Sequence, residues 1–215
     1  MLRTATLLAA TALLTACSGG GGSGAAGPSG DAVVSRIDRF TATNERAFSY
    51  SPTRPGAIPD SGSARFDGQA VAFFPSPRDI EEEDVSLIGR TRLTANFAQG
   101  TVTGTIRNVE GHFGDRPVSD RDAFALPGEV RIGSRDSAIG GDAAAGWSAD
   151  YRGTLGSGDA RIALGGTLDG QFRGTRTSPR GDLSTVRAAT ATDLSADAVV
   201  FGDRRDGQLF IATEN

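Results

Sequence analysis

Lysine is absent from this 215-residue chain. All 22 of its basic residues are arginines, outnumbered by 26 acidic ones. Cysteine, histidine, methionine and tryptophan occur once each and tyrosine twice. A single cysteine cannot close an internal disulfide, so nothing staples the folded part. A single histidine, His112, leaves no Cys/His pair, no serine triad with a spare imidazole and no multi-histidine zinc site. The chain is therefore expected not to be an enzyme and to carry neither metal nor cofactor. A formal charge of −4 without a basic block offers nothing to nucleic acid or to an anionic membrane surface. Long helix formers are also few. Past the N-terminus no stretch is read as holding a 3.6-residue apolar repeat over three turns.

What the chain has instead is glycine, threonine and alternation. From Leu87 to Asn108, Leu87, Thr91, Leu93, Ala95 and Phe97 share one parity while Arg90, Arg92, Thr94 and Asn96 share the other. After a turn at Ala98-Gln99-Gly100, Val102, Gly104 and Ile106 alternate with Thr101, Thr103, Thr105 and Arg107. That is the period-2 signature of a half-buried hairpin. Ala64 to Phe74, Trp147 to Leu155 and Ala160 to Thr175 repeat it. In the last of these, Ile162, Leu164, Gly166, Leu168, Gly170, Phe172 and Gly174 hold one parity, and alternate glycines let a long strand bend and coil. Weaker strands are expected at Gly128 to Ile139, broken by Gly133, and at Ser184 to Thr192. A closing hairpin joins Ala198–Phe201 to Gln208–Thr213. The total of about eight strands is enough for a small closed barrel filled by its own side chains.

The N-terminus has its own logic. Residues 1–16 carry one positive charge at Arg3, an apolar run and small residues at the end, a secretory signal pattern shorter than the roughly 20 residues of a spanning helix. Leu14-Thr15-Ala16-Cys17 resembles the lipobox of bacterial lipoproteins, which implies cleavage before Cys17 and acylation there. Two or three acyl chains give lasting membrane attachment. Ser18 in place of Asp resembles the signal for passage onward to the outer membrane. Residues 17–30 form a flexible Gly/Ser-rich tether with a root-mean-square reach of about 20 Å. Residues 31–62 are expected to be an irregular segment or the stub of a handle: Asp31 to Phe40 suits a short helix or an edge strand, and Pro52, Pro55 and Pro59 mark a loop. Residues 63–215 make the barrel domain.

The functional expectations fall on loops. Val109 to Pro127, rich in Asp, Arg and Gly, is the longest interval between expected strands. There His112 and Phe113 pair an imidazole with an aromatic, a candidate ligand-binding pair and a possible haem ligand, weighed against an unremarkable loop histidine. The acidic run at Arg78 to Asp84 lacks the spacing of a calcium loop and reads as solvated. Asp142, Asp150, Asp159 and Asp169 lie at strand ends or on polar parity, with little to mark a catalytic pair. Phe40, Phe48, Tyr50, Phe73, Phe74 and Phe124 suit a small apolar pocket, or more simply core and loop anchors. A porin-like transmembrane barrel is disfavoured by the lipobox and by too few aromatics for two interfacial girdles.

Three patterns in order after the lipobox, L-x-A-x-F-x-x-G-T-V-x-G-T-I at Leu93–Ile106, G-G-x-L-x-G-x-F-x-G at Gly165–Gly174 and F-G-x-x-x-x-G at Phe201–Gly207, resemble the lipoprotein β-barrel domain of the transferrin-binding protein B family. The same barrel is found in factor H binding protein and in haemophilins. The resemblance covers roughly Ala64 to Asn215. It implies an all-β, single eight-stranded antiparallel barrel on an outer-membrane lipoprotein facing the surface or the periplasm, a monomer that binds a macromolecular protein partner and catalyses nothing. A haem or small-ligand carrier and an envelope protein without a soluble ligand are the alternatives. The family's two-lobed plan with handles is not matched, so transferrin is not carried over as the ligand.

Overall fold

The computed structural model describes residues 28–114, 122–140, 146–158, 160–174 and 186–215, so Cys17 and residues 18–27 of its tether lie outside the described residues, while Ser29 and Gly30, expected in the tether, cap and begin a helix. A helix, α1 (Gly30–Ser49), leads into a two-residue strand, β1 (Ser51–Pro52). Eight long strands follow: β2 (Ser63–Phe74), β3 (Val85–Asn96), β4 (Thr101–Phe113), β5 (Ala123–Ile139), β6 (Gly146–Ser157), β7 (Ala160–Gly174), β8 (Val186–Val200) and β9 (Asp203–Glu214). Each pairs antiparallel with the next. The ring closes where β2 meets β9, with Asp67 opposite Glu214 and Val71 opposite Phe210. This is the all-β, eight-stranded antiparallel barrel that the alternation predicts, plus one helix and one short strand. β1 pairs with Arg173 and Gly174, beyond the point where β6 stops at Gln171, and so fills the lane that β6 vacates.

Parity decides what fills the lumen. Phe66, Phe74, Leu93, Ile132, Trp147, Tyr151, Leu155, Ile162, Leu168 and Phe172 are all buried in one cluster. Phe172 touches Phe66, Phe97 and Trp147 with ring centroids 5.6–6.4 Å apart. The packing leaves an apolar void of about 20 Å³ among Ala70, Leu87, Ile106, Leu155 and Leu209, room for about one water molecule. Eight strands enclose just enough space for side chains, and here side chains take it.

Of the two alternatives left open for Asp31–Phe40, a short helix or an edge strand, the chain takes the helix and extends it: residues 30–49 make more than five turns, started by Ser29, whose hydroxyl accepts the Ala32 N–H at 3.2 Å. Val33, Ile37 and Phe40 fall at helical spacing and pack on Ile88, Val71 and Ala123 of the outer wall. Arg36 meets Glu110 at 2.7 Å, and Arg46 meets Glu214 at 2.9 Å. The helix thus lies lengthwise on the barrel, from the end holding the β2–β3 and β4–β5 connections to the end holding the C-terminus. The loop expected over Val109–Pro127 is a correction. β4 runs on to Phe113 and β5 starts at Ala123, with Glu110 opposite Ala125 and His112 opposite Ala123. The strand pattern there is hidden by a bulge at Asn108, whose φ of +51° shifts the parity.

Candidate functional site

Open space lies on the outside of the barrel. An apolar groove of about 590 Å³ forms a trench on the outer wall. Its side is the C-terminal half of α1, which presents Phe40, Asn44 and Phe48 at i, i+4 and i+8. Its floor is made by outward residues of three neighbouring strands: Asp169 and Gln171 from β7, Thr190 and Thr192 from β8, and Phe210 from β9. The trench exists because α1 rests over β2 and β9 and stops short of covering β8 and β7.

The charged residue in the lining itself is Asp169, and a cation, Arg173, stands beside the trench against two of its lining residues, Phe48 and Thr190. Phe48 is 53 % exposed, and the Arg173 guanidinium stacks on its ring, 3.9 Å from the centroid. Arg173 also donates from Nη1 to the Tyr50 carbonyl at 3.2 Å and from Nε to the Thr190 hydroxyl at 3.4 Å. Among the described residues it meets no carboxylate, and burial lowers its pKa from the usual arginine value.

A second feature is aromatic. Phe113, Phe124 and Phe201 stack at the connection end of the barrel, with centroids 5.1–5.8 Å apart. Phe113 and Val199 show there as exposed apolar side chains. Phe201 holds its place through a φ of +51° and an N–H donated to the Arg161 carbonyl at 3.0 Å.

A third feature is a gap in the wall. The β7–β8 ladder is interrupted between Gly165 and Asp169, and a depression of about 410 Å³ opens beside Asp169, Asp193, Ser195 and Asp197. Two of its three carboxylates are engaged internally, and Asp169 is exposed. Asp193, buried, accepts the Tyr151 hydroxyl at 3.0 Å and the Ser195 N–H at 2.9 Å, and Asp197 pairs with Arg204 at 3.0 Å. Burial, then the Asp193 charge, pushes the Tyr151 phenol well above its ordinary pKa, so it stays a donor. No group of three His, Cys, Asp or Glu side chains among the described residues is placed to hold a metal ion.

Of the residues singled out from sequence, Phe113 is exposed at the aromatic end, but His112 is not a loop residue. It sits on β4 between Ser86 and Ala123, 2 % exposed and on the outward parity of Glu110. Haem ligation through His112 rested on an exposed imidazole in a loop, and this imidazole is neither exposed nor in a loop. Asp150, weighed as a carboxylate of possible chemistry, instead clasps a bulge in β5. It accepts the N–H groups of Arg135 and Asp136, both at 3.0 Å, and the Ser134 hydroxyl. Asp142 and Asp159 lie outside the described residues. Of the aromatics considered for a pocket, Phe40 and Phe48 do line one, Phe74 is core and Phe124 is at the barrel end. Arg173, Thr190 and Phe210 went unnoticed because they stand on the outward parity, where any polar or singly apolar residue looks ordinary. The helical spacing of Phe40 and Phe48, with Ser29 as cap, was the signal that could have led to them. Comparison with known proteins finds no family model, no curated protein and no solved structure that matches this chain.

Proposed function

We propose that this is a lipid-anchored binding protein of the bacterial outer membrane that carries a small apolar molecule on the outside of its barrel. The observation that carries this reading is the contrast between a side-chain-packed core, where a void of about 20 Å³ remains among Ala70, Leu87 and Leu209, and a wall groove of about 590 Å³. The groove falls within the roughly 300–1,000 Å³ of small-molecule sites. The barrel serves as a rigid mount, and α1 supplies one side of the site. Cys17 in its lipobox ties the chain to the membrane through a tether of glycine and serine. Two measurements test this. Nile red fluorescence should rise saturably with the wild-type chain and much less with Phe48→Asp, an exposed position whose change leaves the core alone; equal signals from both would sink the groove as the site. Cys17→Ser should move the protein from the membrane fraction to the soluble one, and an unchanged distribution would remove the anchor.

A second reading, a protein partner of the kind found for transferrin-binding protein B-like barrels, is favoured by the Phe113–Phe124–Phe201 cluster. Exposed aromatics over a packed base are what interface anchors look like. Phe113→Ser would then abolish capture of that partner by the whole chain while leaving Nile red binding intact. Retained capture would put the partner elsewhere.

A further inference from the structure

The groove has a polarity along its length, and that polarity specifies a ligand. Phe40, Thr192 and Phe210 line the groove, with Thr192 paired to Phe210 across β8 and β9. Phe48, nearer the C-terminus of α1, supports Arg173. Phe40 and Phe48 stand eight residues apart on one helix, about 12 Å at 1.5 Å rise per residue. The space between them is bounded by the helix on one side and by residues of β7, β8 and β9 below.

Arg173 is the informative residue. A guanidinium carries five N–H donors. Here one goes to a backbone carbonyl and one weakly to a hydroxyl, and neither acceptor is charged. Nine described arginines face a carboxylate, whereas Arg173, like the more deeply buried Arg205 that donates to the Glu83 carbonyl, has no charged acceptor among the described residues. Arg173 differs from Arg205 in being half-buried and stacked on Phe48, a residue that lines the groove. A planar fork of this kind suits a carboxylate, which can accept two of its N–H groups at once.

We propose that the groove binds a single-chain fatty acid, its hydrocarbon tail lying along α1 between Phe48 and Phe40 and its carboxylate on Arg173. Asn44 on the helix side and Gln171 on the floor are uncharged and add no counter-charge that would compete for the carboxylate. Asp169, exposed at the far end, repels a second carboxylate and sets the direction of entry. The lowered pKa of Arg173 reports a cation short of solvation, which a bound carboxylate would relieve.

This inference rests on the small-ligand reading of the groove, and the test separates the two. Laurate and lauryl alcohol, identical in chain and different in head group, are titrated below their aggregation thresholds into the full chain carrying Cys17→Ser, which needs no detergent. The wild-type groove should take one laurate roughly tenfold more tightly than the alcohol. Arg173→Gln should weaken laurate by about tenfold and leave the alcohol within about twofold, whereas Arg173→Lys, which keeps the charge, should retain most of the preference. Phe48→Asp should weaken both. Equal affinity for the two ligands, unchanged by Arg173→Gln, overturns the fatty-acid assignment and leaves an apolar carrier standing. Failure of both ligands to bind overturns the carrier reading too. Self-association that Phe48→Asp abolishes, without ligand uptake, would assign the groove to a second copy of the chain and overturn the proposal.

Discussion

Two residues show how little slack this barrel has. Gly170 faces inward on β7 under the indole of Trp147, and an added Cβ would run into the ring carbons. Trp147 is 2 % exposed and packs on Phe172, so it has nowhere to retreat. Gly170→Ala should therefore cost about 1–3 kcal/mol, read as a lower urea midpoint with unchanged slope. Asp150 acts through backbone. It holds β5 where the register shifts between Ile132 and Ser137 and Gly133 takes a φ of +64°. Burial on its own would raise its pKa, but the N–H groups of Asp136 and Arg135, the Ser134 hydroxyl and Arg152 outweigh that and hold it below the ordinary value. A carboxyl whose folded pKa is depressed stabilises fully above its unfolded pKa of about 3.9, and that contribution fades as pH falls through the folded value. Asp150→Ala should accordingly destabilise by about 1–2 kcal/mol at pH 7. The difference from wild type should close as urea melts are repeated at pH falling below about 4.

At the level of elements, the strands were readable, while the helix was legible only as one of two alternatives over Asp31–Phe40. Leu93 to Ile106, Trp147 to Leu155 and Ile162 to Gly174 announce themselves because one face meets a filled lumen and the other meets water, so the period-2 contrast is strong. α1 rests on a wall already closed. It needs only Val33, Ile37, Phe40 and Ala47 toward the barrel, and Arg36 stands among them as a buried polar interruption. A helix stripe four residues wide and broken by arginine does not look like a repeat until its strand partners are known. The same reason hid the groove, since its floor belongs to the polar parity of three strands distant in sequence. His112 was misplaced because the bulge at Asn108 broke the alternation before it. The docking of α1 is itself testable. Glu110→Gln leaves Arg36, with a side chain 8 % exposed, without its counter-charge, and should cost about 1–3 kcal/mol. Hydrogen exchange should show α1 amides losing protection while the β2–β3 hairpin keeps its own.

On the scale of the whole molecule, closure joins the two ends of the barrel sequence. β2 and β9 sit at opposite ends of the barrel sequence, yet Asp67 pairs with Glu214 and Phe73 with Gln208. No local contact rewards the chain for this pairing in advance, so folding belongs to the slower range of milliseconds to seconds. Termination before Asp203 would strip partners from β2 and β8 together. It should leave two long open edges and a chain that aggregates on refolding, measured as light scattering against a monodisperse full-length control. Closure also settles how the molecule responds to tension. A pull on the chain ahead of Gly30 enters at the start of α1, beside the connection end, and not through any strand. It meets Val33, then the Arg36–Glu110 pair, then Phe40, each in turn, so the helix peels like tape while the ring of strands still carries no load. The part that gives way first is one side of the wall groove. Stretched from its N-terminus, the molecule would open its outer trench and leave the barrel shut behind it.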